Sequence, residues 1–206
     1  MKTYRSSVLG LALLAFIVAT FLPAIAAAQD LHPSRRPSPM AMARTTLDGG
    51  AYVRLIYSRP YLRGRDNIFG TEESEALVPF GEVWRFGANE ATEITVSKDV
   101  MVGGEKLPAG TYSVFVTPNE KEWTFHFNTA LGLNGTFARN PESGQFEMAV
   151  KPENDVATFK AAVKMMGEDD EAVDQFTVAF EAVDGGAHMV ASWQKTEVRV
   201  PFKPAG

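Results

Sequence analysis

Large apolar and polar side chains alternate with a two-residue period through most of this chain after residue 40. Trp123, Phe125 and Phe127 alternate with polar residues, and the same period recurs around Phe176 and Val200. Because successive side chains of a β-strand point to opposite faces, this pattern predicts half-buried strands. About eight to ten such strands separated by turn residues predict a mainly β fold. We expect a single antiparallel β-sandwich of the Greek-key type, or a flattened barrel, with one short helix.

Two local motifs mark particular turns in this fold. Gly103 and Gly104 follow a short apolar run, and both glycines can adopt the positive φ of a tight hairpin. The segment from Leu107 to Tyr112 has the Leu-x-x-Gly-x-Tyr form of a tyrosine corner, in which the phenol bonds to backbone just upstream. Both motifs carry information about the fold and none about function.

One segment departs from the alternation. Apolar residues recur at helical spacing before Gly167, namely Val156, Phe159, Val163 and Met166. This spacing predicts a short amphipathic helix, capped by Asn154 or Asp155 and ended by Gly167. The acidic run 168–171 that follows lacks the spaced ligands of a calcium loop, so we interpret it as a solvated loop.

The N-terminus has the form of a signal peptide. Lys2 and Arg5 precede an apolar run over residues 8–22, which is shorter than the roughly 20 residues that a bilayer span needs. Small residues end at Ala28, so we expect cleavage there. The sequence therefore predicts a signal peptide over 1–28, an extended lead-in over 29–40 and one β-sandwich domain over 41–206. We expect an exported soluble protein, periplasmic or extracellular, with no membrane span after cleavage.

Composition excludes several classes of function. The net charge is −5, which argues against a nucleic-acid partner and against binding to anionic lipid by bulk charge. With no cysteine, disulfides and thiol catalysis are excluded. No phosphate loop, dinucleotide fingerprint or nucleophile elbow occurs. We predict no metal or cofactor, and a zinc pair of His126 with His188 across strands is the one arrangement left open.

Arginine-rich turns are the serious candidates for a binding site. Arg59 and Arg65 follow a predicted strand directly, and a guanidinium suits carboxylate or phosphate because it is planar and always charged. Downstream, a tryptophan, an arginine, an amide and a carboxylate crowd into one turn. Aromatic faces combined with such polar groups hold small polar ligands, sugars among them. The sequence predicts a binding site for a small polar or anionic ligand, glycans included, formed by Arg59, Arg65, Trp84, Arg85, Asn89 and Glu90.

Two other interpretations stay open. A hydrolase would use Glu90 or Glu82 with His126, or the carboxylates of Glu82 and Glu90 as acid and base on a glycosidic bond. A structural protein of the cell envelope would instead pair its arginines with Glu82 or Glu90, which would only fasten a long loop to the sheet. Convergence of the six residues around an open cleft would favour binding, and complete mutual pairing would favour the structural interpretation.

The segment from Tyr57 to Pro118 resembles a bacterial family of secreted proteins known only as a domain of unknown function. The resemblance rests on the ordered segments Tyr-Ser-Arg-Pro at 57–60, Leu-Val-Pro-Phe-Gly-Glu-Val-Trp-Arg at 77–85, Gly-Ala-Asn-Glu-Ala-Thr at 87–92 and Leu-Pro-Ala-Gly-Thr-Tyr at 107–112. It implies export and a single mostly β domain, with no established activity to carry over. The chain departs from the family pattern at 131–133, and 156–171 has the form of an insertion.

Overall fold

A computed structural model describes residues 35–139 and 142–206 of the chain. The predicted signal peptide and the first half of the predicted lead-in lie outside the described residues. Within the described part, no helix is long and apolar enough to cross a bilayer. The described strands are β1 (Met40–Thr46), β2 (Tyr52–Ser58), β3 (Phe69–Gly70), β4 (Val78–Pro79), β5 (Thr92–Val96), β6 (Val100–Val102), β7 (Glu105–Leu107), β8 (Gly110–Thr117), β9 (Glu122–Asn128), β10 (Phe137–Arg139), β11 (Phe146–Met148), β12 (Asp155–Met165), β13 (Val173–Val183), β14 (Gly186–Gln194) and β15 (Thr196–Pro204), with short 3-10 turns at Asp48–Gly50, Glu72–Ser74 and Pro152–Asn154.

One antiparallel sheet dominates the unit that begins at Met40. Its strand order is β1-β2-β5-β8-β9-β12-β15-β14-β13, and β6 pairs with β15 to extend it. The two ends of this order approach each other, because β1 contacts β13 and an isolated bridge joins Tyr61 to Gln175. The sheet is therefore a nearly closed, barrel-like structure.

The prediction of a mainly β fold is confirmed, but the strands do not separate clearly into the two sheets of the predicted sandwich. Alternation specifies which side chains face inward along each strand. It does not specify whether the two ends of a sheet meet, because that depends on twist and on contacts between residues far apart in sequence.

The end of β2 and the start of β13 form the seam at which the sheet nearly closes. At this seam the buried hydroxyl of Tyr57 donates to the Val178 carbonyl at 3.1 Å and accepts from the Val178 N–H at 2.8 Å. Burial raises the pKa of Tyr57. A further backbone bond from Phe176 N–H to the Pro60 carbonyl spans 2.9 Å. The seam is thus closed by polar groups that have partners, and not by packing alone.

Aromatic side chains fill the interior of the barrel. The predicted inward positions Trp123, Phe125 and Phe127 are all buried, as the alternation requires. The indole rings of Trp84 and Trp193 stack with centroids 6.1 Å apart and an interplanar angle of 18°. Offset stacking and edge-to-face contacts of this kind stabilise a core beyond the area they bury. The rings that meet in this aromatic cluster are those of Phe69, Trp84, Phe86, Trp123, Phe176 and Trp193.

The predicted helix over residues 156–166 is wrong, because this segment forms β12 between β9 and β15. Ala157, Phe159 and Ala161 are its buried residues, while Val156 is 39% exposed. Small alanines at two inward positions conceal the two-residue period. Phe159 and Val163 lie four residues apart, a spacing that suits one face of a helix and one face of a strand equally well.

Both turn motifs are confirmed. The Tyr112 hydroxyl donates to the Pro108 carbonyl at 3.0 Å, which is the bond of a tyrosine corner. Gly103 and Gly104 adopt φ values of 58° and 97° in the turn between β6 and β7. A Cβ at Gly103 would also lie 2.1 Å from the ring of Phe159, so this turn needs glycine for space as well as for φ.

Candidate functional site

A cavity of about 230 Å³, called here the arginine cavity, opens beside the aromatic cluster. Arg65 and Arg85 contribute its charged lining, and the indoles of Trp84 and Trp193 contribute aromatic walls. Three of the six residues predicted for a binding site therefore line one cavity. Its complete lining is Pro60, Arg65, Leu77, Val78, Trp84, Arg85, Gly87, Ala88 and Trp193.

Trp84 is held in place by both its backbone and its ring. Its backbone N–H and carbonyl exchange hydrogen bonds of 2.7 and 2.8 Å with Val116 in β8. Its indole Nε1 donates to the Gly87 carbonyl at 2.9 Å, which closes the turn that follows. Phe86 and Asn89 adopt positive φ values of 49° and 56° within this turn. A conformation that is unfavourable for non-glycine residues is thus maintained by contacts with the sheet.

Arg85 extends from this anchored turn into the wall of the cavity. Its Nη1 donates to the Asn89 carbonyl at 3.2 Å, and no carboxylate forms an ion pair with it among the described residues. Burial lowers the pKa of the Arg85 guanidinium, because removing a charge from water disfavours the charged form. An anion bound at this position would offset part of that desolvation.

Arg65 reaches the same cavity from a different loop. Its backbone N–H donates to Leu62 at 3.0 Å, and its Nη2 donates to the Tyr61 carbonyl at 2.9 Å. The loop is fastened to β13 by the Leu62 N–H, which donates to Asp174 at 2.7 Å. Arg65 is exposed, so its guanidinium is accessible to solutes at the mouth of the cavity.

Trp193 completes the cavity and was not among the predicted site residues. It is only 1% exposed, and its indole Nε1 is buried with no hydrogen-bond partner within the described parts of the chain. A buried donor that lacks an acceptor is costly, so it marks a place where a ligand or water would be stabilised. The sequence placed Trp193 correctly on the inward face of a strand, but gave no sign that this strand borders the arginine loops.

Arg59 lies apart from the other predicted site residues. Its Nε donates to the Phe176 carbonyl at 3.0 Å and its Nη2 donates to Thr177 Oγ1 at 2.7 Å. Gln175 returns a bond to the Arg59 carbonyl at 3.2 Å. These bonds place Arg59 at the seam, and it does not line the arginine cavity.

Asn89 and Glu90 lie next to the cavity but do not line it. Asn89 supplies the backbone carbonyl that orients Arg85, and the Oε2 atom of Glu90 is buried. The structure thus brings Arg65, Trp84 and Arg85 together, places Asn89 and Glu90 behind them, and puts Arg59 elsewhere. Their predicted role in binding stays a prediction.

A second cleft of about 320 Å³ shares Trp84 and Arg85 with the arginine cavity. It includes Glu82 and the turn from Asn134 to Thr136. A Cβ at Gly135 would lie 2.9 Å from Arg85 Nη1, and Gly135 has a positive φ of 97°. The glycine therefore leaves room for the arginine side chain between the two spaces.

The residues proposed for hydrolysis have other surroundings. His126 lies on the face of β9 opposite the core, where its Nδ1 is 2.9 Å from Asp155 Oδ2 and its Nε2 is 3.2 Å from Thr117 Oγ1. Asn128 also bonds Asp155, at 2.7 Å, so the group connects three neighbouring strands. Glu82 is exposed and lines the second cleft, whereas His126 lines none of the cavities described above.

The zinc pair left open by the sequence is not formed. His126 lies on β9 and His188 on β14, and β12 and β15 separate these two strands in the sheet. Among the described residues, no group of three or more histidine, aspartate or glutamate side chains is arranged to hold a metal ion.

Comparison with known proteins gives one match. The model of a family described as a protein of unknown function, DUF2911, matches residues 38–202. No curated protein matches the chain, and no solved structure does. The match covers all but the last two residues of the barrel-like sheet, and it includes both arginine loops and Trp193. The chain therefore belongs to the DUF2911 family.

Proposed function

We propose that this domain binds a small anionic ligand in the arginine cavity. The observation that carries the proposal is the set of hydrogen-bond donors in its lining. Arg65 and Arg85 are donors in the lining, the lining residue Trp193 has a buried Nε1 donor, and none of the three is paired with a carboxylate among the described residues. Guanidinium and indole N–H groups have no acceptor capacity, so the complementary molecule must supply acceptors. A carboxylate or phosphate does so with the charge that two arginines favour.

Comparison with Arg199 supports a ligand for Arg85. Arg199 is also fixed in the sheet, but its guanidinium bonds Glu181 and Glu197, so the protein itself supplies its anions. Arg85 is more enclosed and has a single described acceptor, the Asn89 carbonyl. An enclosed guanidinium that lacks an internal anion is the arrangement expected of a binding group.

The walls of the cavity restrict the shape of the ligand. The Trp84 and Trp193 side chains line the cavity, and an aromatic lining suits a planar body or the C–H face of a sugar ring. A volume of about 230 Å³ is below that of most drug-sized sites, so the enclosed part of the ligand is small. Sugar acids and small aromatic acids combine a negative charge with a small, flat apolar face.

The test is a thermal-shift series with glucuronate, benzoate and phosphate as anionic probes and glucose as a neutral one. We expect an anion with a ring to stabilise the domain, by about 2.7 kcal/mol at about 100 times its Kd, and glucose to have a much smaller effect. Because two indoles line the cavity, binding should also change intrinsic tryptophan fluorescence.

The decisive variant is Arg85→Ala, which should abolish the response to the anionic probe while the domain stays folded. Arg44→Ala is the matched control, because Arg44 is exposed on β1 and does not line the cavity. The proposal fails if no anion stabilises the protein, or if Arg85→Ala and the wild type respond equally.

We also propose that the domain acts after export, in the periplasm or outside the cell. The support is the cationic start, apolar run and small-residue end of residues 1–28. N-terminal sequencing of protein recovered from the exported fraction should begin at Gln29. An intact Met1 in that fraction would contradict the proposal.

A further inference from the structure

The largest of the cavities described here, about 420 Å³, lies away from the two arginines. It opens among the turn between β8 and β9, the end of β12 and the turn between β14 and β15. We call it the turn cleft. Its size falls within the range typical of small-molecule sites. Its lining is Phe69, Phe80, Asn119, Glu120, Lys121, Trp123, Val163, Met165, Gln194 and Thr196.

The floor of the turn cleft is aromatic. The rings of Phe69 and Trp123 meet with centroids 4.9 Å apart and an interplanar angle of 52°. Met165 stands beside this floor and is 61% exposed. An exposed methionine beside the partly buried Phe69 and the buried Trp123 gives an adaptable apolar surface for an incoming ring.

Two opposite charges stand at the rim of the cleft. Glu120 and Lys121 are adjacent in the β8–β9 turn, both are exposed, and neither has an ion-pair partner among the described residues. Other lysines of the sheet do have partners, since Lys106 bonds Asp99 and Lys160 bonds Glu122. The rim therefore offers one cation and one anion above an aromatic floor.

The backbone at the opposite side of the cleft is held in an unusual conformation. Gln194 has a φ of 56°, which is uncommon for a residue with a branched or long side chain. Its side-chain amide donates to the Asp66 carbonyl, so the contact fixes this wall relative to the neighbouring loop. One side-chain hydrogen bond therefore ties the β14–β15 side of the cleft to the loop that contains Asp66.

We propose that the turn cleft binds a small zwitterion with an aromatic body, that is, an aromatic amino acid or the aromatic end of a short peptide. The ring packs on Phe69 and Trp123, the carboxylate faces Lys121, and the ammonium faces Glu120. The net charge of the rim is zero, so a simple anion is not favoured here. The turn cleft and the arginine cavity are therefore expected to bind different classes of ligand.

The experiment titrates the domain and its Arg85→Ala variant with L-phenylalanine, phenylacetate, phenethylamine and glycine by calorimetry. Phenylacetate is also an aromatic acid of the class proposed for the arginine cavity, so the affinities compared below are those of the variant, in which only the turn cleft is intact. Phenylalanine should bind saturably at one site. Phenylacetate lacks the ammonium and phenethylamine lacks the carboxylate, so each should bind about threefold more weakly, the strength of one exposed ion pair. Glycine lacks the ring, and its binding should be undetectable.

Two exposed variants assign the charges. Lys121→Ala should weaken the binding of phenylalanine and phenylacetate about threefold and leave that of phenethylamine unchanged. Glu120→Ala should weaken the binding of phenylalanine and phenethylamine about threefold and leave that of phenylacetate unchanged. Lys164→Ala and Glu105→Ala are matched controls, because both residues are exposed in strands and neither lines the cleft.

Three outcomes would overturn the proposal. They are no saturable binding of phenylalanine, binding that neither rim variant changes, and binding that Arg85→Ala abolishes while Lys121→Ala does not. The last outcome would place the molecule in the arginine cavity. Because Arg85 does not line the turn cleft, failure here leaves the proposal for the arginine cavity intact.

Discussion

Arg59 and Arg85 look alike in the sequence, since each lies in a turn next to a strand, but their surroundings differ. Arg59 directs its guanidinium at the Phe176 carbonyl and the Thr177 hydroxyl across the seam. Arg85 has one described acceptor, the Asn89 carbonyl, within its own turn. The first arginine joins two elements distant in sequence. The second holds a charge against the wall of a cavity.

The difference lies in the number and origin of the acceptors, and not in the density of arginines. A guanidinium carries five N–H donors, so acceptors from the fold account for some of them and the remainder need solvent or a ligand. Where the acceptors come from another strand, the arginine stabilises the fold. Where they are few, as at Arg85, the remaining donors need solvent or a ligand, and the proposed anion would meet that need.

The largest expected effect belongs to the seam. Arg59→Ala removes two hydrogen bonds from a charged donor, and the buried Phe176 carbonyl loses the donor that Arg59 supplies. We expect this to lower the free energy of unfolding by about 3 kcal/mol. For a domain of this size that is a fall in Tm of roughly 6–12 °C. Denaturant unfolding of Arg59→Ala and of the exposed control Arg44→Ala measures it. Equal stability of the two variants would show that the seam does not depend on Arg59.

Gly87 connects the two regions, so its substitution should affect both. A Cβ at Gly87 would lie 2.9 Å from the Ser58 carbonyl at the end of β2 and 3.2 Å from Thr92 Oγ1. Backbone cannot move aside as the end of a flexible side chain can, so Gly87→Ala should cost about 2 kcal/mol. It should also displace the turn that carries Arg85, and the thermal response to the anionic probe should fall.

Gly185→Ala is a suitable control for this prediction, because Gly185 has a positive φ but nothing within 4 Å of a Cβ. The Gly185→Ala variant therefore measures the cost of a side chain at positive φ in the absence of a steric clash. If Gly87→Ala is as stable as Gly185→Ala and binds the probe normally, the seam and the cavity are independent of each other.

Much of the fold was accessible from the sequence, and the exceptions have physical reasons. Alternation identified the inward face of β9, and Tyr112 formed the bond that its motif predicts. β12 was assigned to a helix because alanines at its inward positions hide the period. Barrel closure was not specified by any local pattern, since it rests on contacts such as Tyr57 with Val178, whose partners lie far apart in the chain.

Tyr57 allows a test of the seam through pH. Tyr57→Phe removes the donor to the Val178 carbonyl and the acceptor for its N–H, which should cost about 1.5 kcal/mol at neutral pH. Burial raises the pKa of Tyr57 above its ordinary value of 10.0, so the fold favours the protonated phenol. The stabilisation from the protonated phenol is complete at pH values below the pKa of Tyr57 in the unfolded chain. It is lost as pH rises through the pKa of Tyr57 in the folded domain.

The wild type should therefore lose stability more steeply than Tyr57→Phe as pH rises above about 10. Unfolding curves at neutral pH and at about pH 10.5 measure the difference, with Tyr61→Phe as a control, because Tyr61 is partly exposed. Parallel pH profiles for wild type and Tyr57→Phe would contradict a buried, protonated phenol at the seam.

The candidate site was only partly predictable. Arg65, Trp84 and Arg85 come from turns whose composition is unusual, and the structure places all three around one cavity. Trp193 gave no signal beyond its place in a strand, because its relation to Arg85 arises only when β14 and the turn after β4 pack together. Arg59 was included for its residue type, and the sequence could not show that Phe176 and Thr177 would supply its acceptors.

The smallest expected effect on stability is that of Arg85→Ala in the absence of ligand. At neutral pH the guanidinium is charged in both folded and unfolded states, and the lowered pKa shows that the fold disfavours this charge. Removing the side chain ends that desolvation and loses one described bond of 3.2 Å, so the two changes offset each other. We expect the free energy of unfolding to change by less than about 1 kcal/mol, against about 3 kcal/mol for Arg59→Ala. If Arg85→Ala instead unfolds the domain or costs as much as Arg59→Ala, both arginines are structural, and the difference drawn between the seam and the cavity does not hold.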